Sequence, residues 1–111
     1  MNYREILLSK INKLINKELT VPEFEKEYYF YFLDDVPDDG LTEDELMFFG
    51  DVQEKLDWTD KDPDEVSRSY NWMNHEEYIE YVSRITKDFL DIGKYDPEKW
   101  GKIQVEILKK H

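Results

Sequence analysis

Apolar residues recur along this chain at spacings of three and four, broken at intervals by helix-start signatures. Tyr3, Leu7, Ile11 and Leu14 form a first stripe, widened by Ile6 and Ile15, while lysines occupy the opposite face. That pattern predicts an amphipathic helix over residues 3–17. Thr20-Val21-Pro22-Glu23 then has capping-box spacing, with proline in the first turn. It predicts a second helix over 21–34, with Val21, Phe24, Tyr28 and Phe32 inward, joined by Tyr31. The run Tyr28–Leu33 also has strand propensity, but the upstream cap and the i, i+4 aromatics favour helix. Pro37 and Gly40 mark Asp34–Leu41 as a loop.

Thr42 and Glu45 repeat the capping-box spacing and predict a third helix over 43–58, with Leu46, Phe49, Val52 (or Gln53) and Leu56 inward. Gly50 lies inside it at a cost of about 1 kcal/mol relative to alanine. It either permits a close helix crossing or is simply tolerated. Asp62 as N-cap with Pro63 at the first position predicts a short helix to about Tyr70. Asn74 and Glu77 cap the next, whose Tyr78, Val82, Ile85, Phe89 and Ile92 make the most regular apolar seam in the chain. Gly93 is placed to end that helix. Asp96-Pro97 begins a last one, in which Trp100, Ile103, Val105 and Leu108 are apolar. No stretch alternates with period two. The expected fold is therefore all-α: one domain over residues 1–111, a bundle of four main antiparallel helices plus one short helix.

Composition agrees with a folded domain. The chain has 111 residues, enough to bury a core without disulfides or metal. Its 40% hydrophobic and 15% aromatic content opposes disorder despite the high charge. It contains no cysteine, which removes disulfides, thiolate zinc ligands and thiol nucleophiles. The N-terminal MNYREILLSKINKLINKEL has no signal-peptide h-region, and nothing approaches a membrane span. A cytoplasmic protein is expected. The net charge of −12 disfavours nucleic acid and anionic membrane as direct partners.

That charge is not spread evenly. Glu18–Glu65 holds 18 acids against three bases, a local charge of −15, whereas the remainder carries 12 bases and nine acids. Asp35–Leu46 joins two predicted helices and has Gly40 at the sixth position of a calcium loop. Pro37 at position three and Leu46 at position twelve remove required ligands. Asp60, Asp62 and Asp64 fail likewise, with Glu65 at six and Asn71 at twelve. No metal or other cofactor is expected.

Catalysis lacks parts too. There is no phosphate loop, HExxH or serine elbow, and a cation at a helix N-terminus is disfavoured, so His75 is expected to be neutral and exposed. The chain is expected not to be an enzyme.

Recognition remains. A one-signed surface costs stability through self-repulsion, which solubility alone or a basic partner could explain. The candidate contacts are Asp34, Asp35, Asp38, Asp39, Glu43, Asp44, Glu45, Asp51, Glu54 and Asp57. Tyr29 and Trp58 are candidate apolar anchors, with Tyr70 and Trp72 as further aromatics.

The lysine-bearing LLSKINKLINKELT, the TVPEFE and TEDEL helix starts and the late NHEEYIEYVSRITKDFL together resemble the self-protective colicin-like immunity family. Similar proteins serve as immunity proteins in contact-dependent growth inhibition. The resemblance implies a small acidic helical bundle that binds the nuclease domain of a cognate toxin, often one cleaving tRNA, and covers its active site in a 1:1 complex. The alternative is an acidic helical adaptor for some other basic protein.

Overall fold

The computed structural model of the chain describes residues 2–91 and 96–110. Among these the structure is all-helical, with six α-helices and no strand. Four main helices and one short one were expected. Ile92 and Gly93, assigned above to a helix end, lie outside the described residues. The chain divides into two compact units, Met1–Glu54 and Lys55–His111.

The first unit begins with α1 (Tyr3–Ile15), where the Asn2 side chain accepts from the Glu5 amide at 2.8 Å. Leu7, Ile11 and Leu14 are fully buried. The helix stops two residues before the expected end. Lys17 turns left-handed (φ 63°), and the Glu18 amide closes back on the Lys13 carbonyl at 2.8 Å. That wrap satisfies carbonyls a longer helix would have used.

Thr20 starts α2 (Val21–Phe30) with the predicted reciprocal cap: its hydroxyl accepts from the Glu23 amide, and Glu23 accepts from the Thr20 amide at 2.9 Å. The two bonds hold the Glu23 carboxyl below its usual range, the backbone bond most strongly. Val21, Phe24 and Tyr28 are buried. Phe24 stacks on Tyr28 at 4.9 Å and Tyr28 on Phe32 at 5.9 Å. The Tyr28 hydroxyl donates to the Phe49 carbonyl at 2.8 Å, so this buried phenol keeps a partner. Burial first, then Asp51, pushes its pKa well above the ordinary tyrosine value.

The helix widens at its end. Tyr31–Asp35 form a π turn, closed by the Val36 amide on the Tyr31 carbonyl at 3.2 Å. Asp34 and Asp35 therefore belong to this turn, where a loop was also expected to begin. Phe32 and Tyr31 are half-buried only, against the expectation of core positions.

The Thr42–Glu45 cap is present (Thr42 amide to Glu45, 2.8 Å; Glu45 amide to Thr42, 3.2 Å) and starts α3 (Glu43–Leu56). Phe48, Phe49, Val52 and Leu56 are buried, whereas Leu46, expected inward, is 39% exposed. Both phenylalanines enter the core, in edge contact at 5.0 Å. Their shared face is centred toward Phe48, which turns Leu46 out. The helix ends at Leu56 rather than 58. At this boundary the Thr59 hydroxyl bonds the Lys55 carbonyl at 2.7 Å.

In the second unit, residues 58–60 pair with Met73. The Met73 amide donates to the Trp58 carbonyl and the Asp60 amide to the Met73 carbonyl, both at 3.0 Å. Between them lies α4 (Glu65–Ser69). Its N-cap is Asp64, not Asp62: the Asp64 carboxylate accepts from the Ser67 amide at 2.7 Å. Pro63 precedes the cap instead of opening the helix. This backbone bond, above all, lowers the Asp64 pKa.

Asn74 and Glu77 form the predicted box at the start of α5 (His75–Leu90), with both bonds at 2.8 Å. Tyr78, Val82 and Ile85 are buried as expected. Tyr81 and Thr86 join them, while Phe89 is half-buried. His75 is half-buried, not exposed. A 3₁₀ turn (Pro97–Lys99), capped by Asp96 through the Glu98 amide, leads into α6 (Trp100–Lys110). Trp100 and Ile107 are its buried side chains, and Val105 is exposed. Arg84–Glu106 at 2.9 Å and Lys110–Glu80 at 3.3 Å link α5 and α6 on the surface.

Glu77 is fully buried, and Arg68 pairs with its Oε1 while also donating to the Trp72 carbonyl at 3.1 Å. Its Oε2 has no hydrogen-bond partner among the described residues. Removing Arg68 leaves a buried carboxylate without its cation, so Arg68→Met is expected to cost about 2–4 kcal/mol. Glu77→Gln keeps the capping geometry and should cost less than half as much, as urea unfolding of both variants will report. A Cβ at Gly50 would meet nothing within 4 Å, so the glycine serves no close crossing. Gly50→Ala is expected to stabilise by about 1 kcal/mol, read as a higher urea midpoint.

Candidate partner-binding surface

All but one of the acids nominated from sequence fall on three consecutive pieces of the first unit: the π turn, the loop after it and α3. Asp34, Asp35, Asp38, Asp39 and Glu43 are exposed. None of the five makes an ion pair among the described residues. Asp44 and Glu54 are exposed too.

Two acids have structural work that the sequence reading gave to a partner. Glu45 is half-buried, caps α3 and pairs with Arg4 at 3.4 Å. Asp51 is half-buried and acts electrostatically on Tyr28. Asp57 and Trp58 are exposed but lie in the second unit. Tyr29 is exposed, in edge contact with Phe30 at 5.7 Å.

The loop keeps its shape through one close approach. A Cβ at Gly40 would stand 2.9 Å from the Tyr3 ring and 3.0 Å from Pro37. Only glycine fits there without displacing them. Gly40 thus serves packing, and Pro37, which removed a calcium ligand from the pattern, is the other wall. Among the described residues no three histidine or carboxylate side chains converge as metal ligands. No described helix is long and apolar enough to cross a membrane.

An open groove of about 730 Å³ also lies in this unit, lined by residues that include Lys10, Glu27, Phe30, Tyr31 and Asp35. The Lys10 ammonium sits 5.3 Å from the centre of the Tyr31 ring. Tyr31 is pushed above the ordinary phenol value by partial burial first, then by Tyr3 and Asp35. A groove with three carboxylates, two lysines and two aromatic rings suits a cationic side chain better than an anion.

Apolar residues also stand among these acids: Phe30, which with Tyr29 exceeds one helical stripe in the sequence pattern, and Leu33 and Met47, which that pattern left unmarked. Phe30, Leu33 and Met47 are each about half exposed. The legible signal was excess: α2 and the π turn carry more apolar side chains than one buried stripe can take.

Replacing Asp34, Asp35, Asp38 and Asp39 together by asparagine removes repulsion and no ion pair. The variant is expected to be as stable as the parent or up to about 1 kcal/mol more so at low salt, the gain shrinking as salt is added. Thermal melts at two ionic strengths check this. A loss of stability would mean these acids support the fold.

No family model, curated protein or solved structure matches this chain.

Proposed function

We propose that this chain is an immunity protein that binds a cognate bacterial toxin one-to-one in the cytoplasm and neutralises it. The toxin is read as a nuclease, with a tRNA-cleaving domain as the first expectation. It is bound by an acidic surface that enters its basic, phosphate-binding cleft. The reading includes the antiparallel four-helix bundle expected from sequence. It treats the chain as a stoichiometric binder and not as an enzyme.

The observation that carries it is the set of five exposed acids between Asp34 and Glu43 that have no ion pair among the described residues. Uncompensated charge of one sign costs stability, and a complementary surface recovers that cost on binding. Exposed Tyr29, Phe30, Leu33 and Met47 supply apolar area beside the charge. Aromatic and methionine side chains of this kind make up the desolvated centres of protein interfaces. The resemblance in helix-start order to the colicin-like immunity family points the same way.

The toxin domain encoded immediately upstream is expected to co-purify with this protein and to lose nuclease activity when mixed with it at equimolar ratio. Failure of both would sink the proposal. The association rate should fall steeply with salt, because exposed charges are screened beyond about 8 Å at physiological ionic strength. The tetra-asparagine variant should associate at least about tenfold more slowly. An association rate indifferent to both would remove this acidic surface from the mechanism.

A further inference from the structure

The second unit carries an aromatic surface that the acidic loop does not account for. Tyr70 and Val66 are 71% and 67% exposed, and Trp58 is 44% exposed. Trp72, half-buried, meets Trp58 edge to face at 5.9 Å. Unlike a frayed loop, the segment carrying these rings is held at several points. The paired backbone bonds between Trp58, Asp60 and Met73 fix one side. Arg68 holds the Trp72 carbonyl, and the Gln104 amide holds the Asn71 carbonyl at 2.9 Å. Asn71 itself is left-handed (φ 66°), a conformation asparagine tolerates better than most residues. Tyr70 and Trp72 thus flank a backbone fixed before any partner arrives, which lowers the ordering cost of binding.

The chemistry around the rings selects the occupant. Asp57, Asp60, Asp62, Asp64 and Glu65 are all exposed, against Lys61 as the cation of that stretch. Exposed acids in the segment that leads from Trp58 to α4, close in sequence to the indole and phenol rings, favour a flat, weakly hydrated cation. A guanidinium stacks on such a face and still bonds carboxylates with its edge, whereas an ammonium is a compact, strongly hydrated charge.

We propose that Trp58, Tyr70 and Trp72 form a docking surface for an arginine-bearing segment of a protein partner. It shares with the proposed immunity function only a basic partner, and it stands or falls without the toxin.

The probes are an oligoarginine and an oligolysine peptide of equal length, titrated into the full chain at physiological salt. Trp100 is buried, so a change in tryptophan emission reports on Trp58 and Trp72. Oligoarginine is expected to perturb the emission and to bind at least about threefold more tightly than oligolysine. Tyr70→Ser, at a site exposed enough to leave the melting temperature unchanged, should abolish that preference. Trp58→Ser provides the second reading, with helicity as the check on folding. Equal binding of both peptides with unchanged emission would overturn the proposal, as would self-association of the protein that Tyr70→Ser abolishes. Loss of toxin binding with the peptide preference intact would strike the immunity reading alone.

Discussion

Every helix begins with amide groups that lack partners, and this chain meets that constraint with side-chain oxygens at the starts of α1 to α5 and of the 3₁₀ turn that leads into α6. Asn2, Thr20, Asp64, Asn74 and Asp96 accept from amides two or three residues ahead. Thr42 does the same for α3. Three of these starts are reciprocal, so Glu23, Glu45 and Glu77 return a bond to the residue before the helix. Placing carboxylates there satisfies donors and sets negative charge against the positive end of the helix dipole. In a chain of net charge −12, that absorbs a share of the acids where they help the fold. The acids left over are the ones that need a functional account.

Glu77 shows how far this can be taken. It begins as a capping residue and ends fully buried, one oxygen shared between the Asn74 amide and the Arg68 guanidinium. Arg68 also grips the Trp72 carbonyl, so a single cation ties the cap of α5 to the segment that carries the exposed Tyr70 and the half-buried Trp72. Stability and surface presentation in the second unit therefore share a residue.

Helix existence was legible because caps and stripes are local. The three reciprocal caps were readable as three-residue spacings, and Leu7, Tyr28 and Val82 as members of their stripes. What failed were choices that local spacing leaves open. Phe48 and Leu46 compete for the inner face of α3, and only packing decides. Asp62 and Asp64 both precede Glu65 as plausible caps, and the one within reach of the Ser67 amide wins. On α6, apolar residues at 100, 103, 105, 107 and 108 cover more than one face, and only packing selects Trp100 and Ile107 for burial. At the candidate surface, acidity was visible as composition, but the sequence could not separate Glu45, which holds Arg4, from Glu43, which is exposed and unpaired among the described residues. That difference lies in three-dimensional distance.

The π turn at the end of α2 acts as a phase shifter. Seven residues on from Tyr28, an α-helix returns to the same face, which would carry Asp35 toward the buried stripe. A wider turn adds a residue to the circuit and rotates the end of the helix, so Phe32 still stacks on Tyr28 while Asp35 stays in water. The aromatic and acidic halves of one continuous segment are thereby decoupled, without a break in the chain between them. Deleting one residue from this turn would act as a rotation more than as a shortening. It would exchange which side chains the helix end shows to solvent.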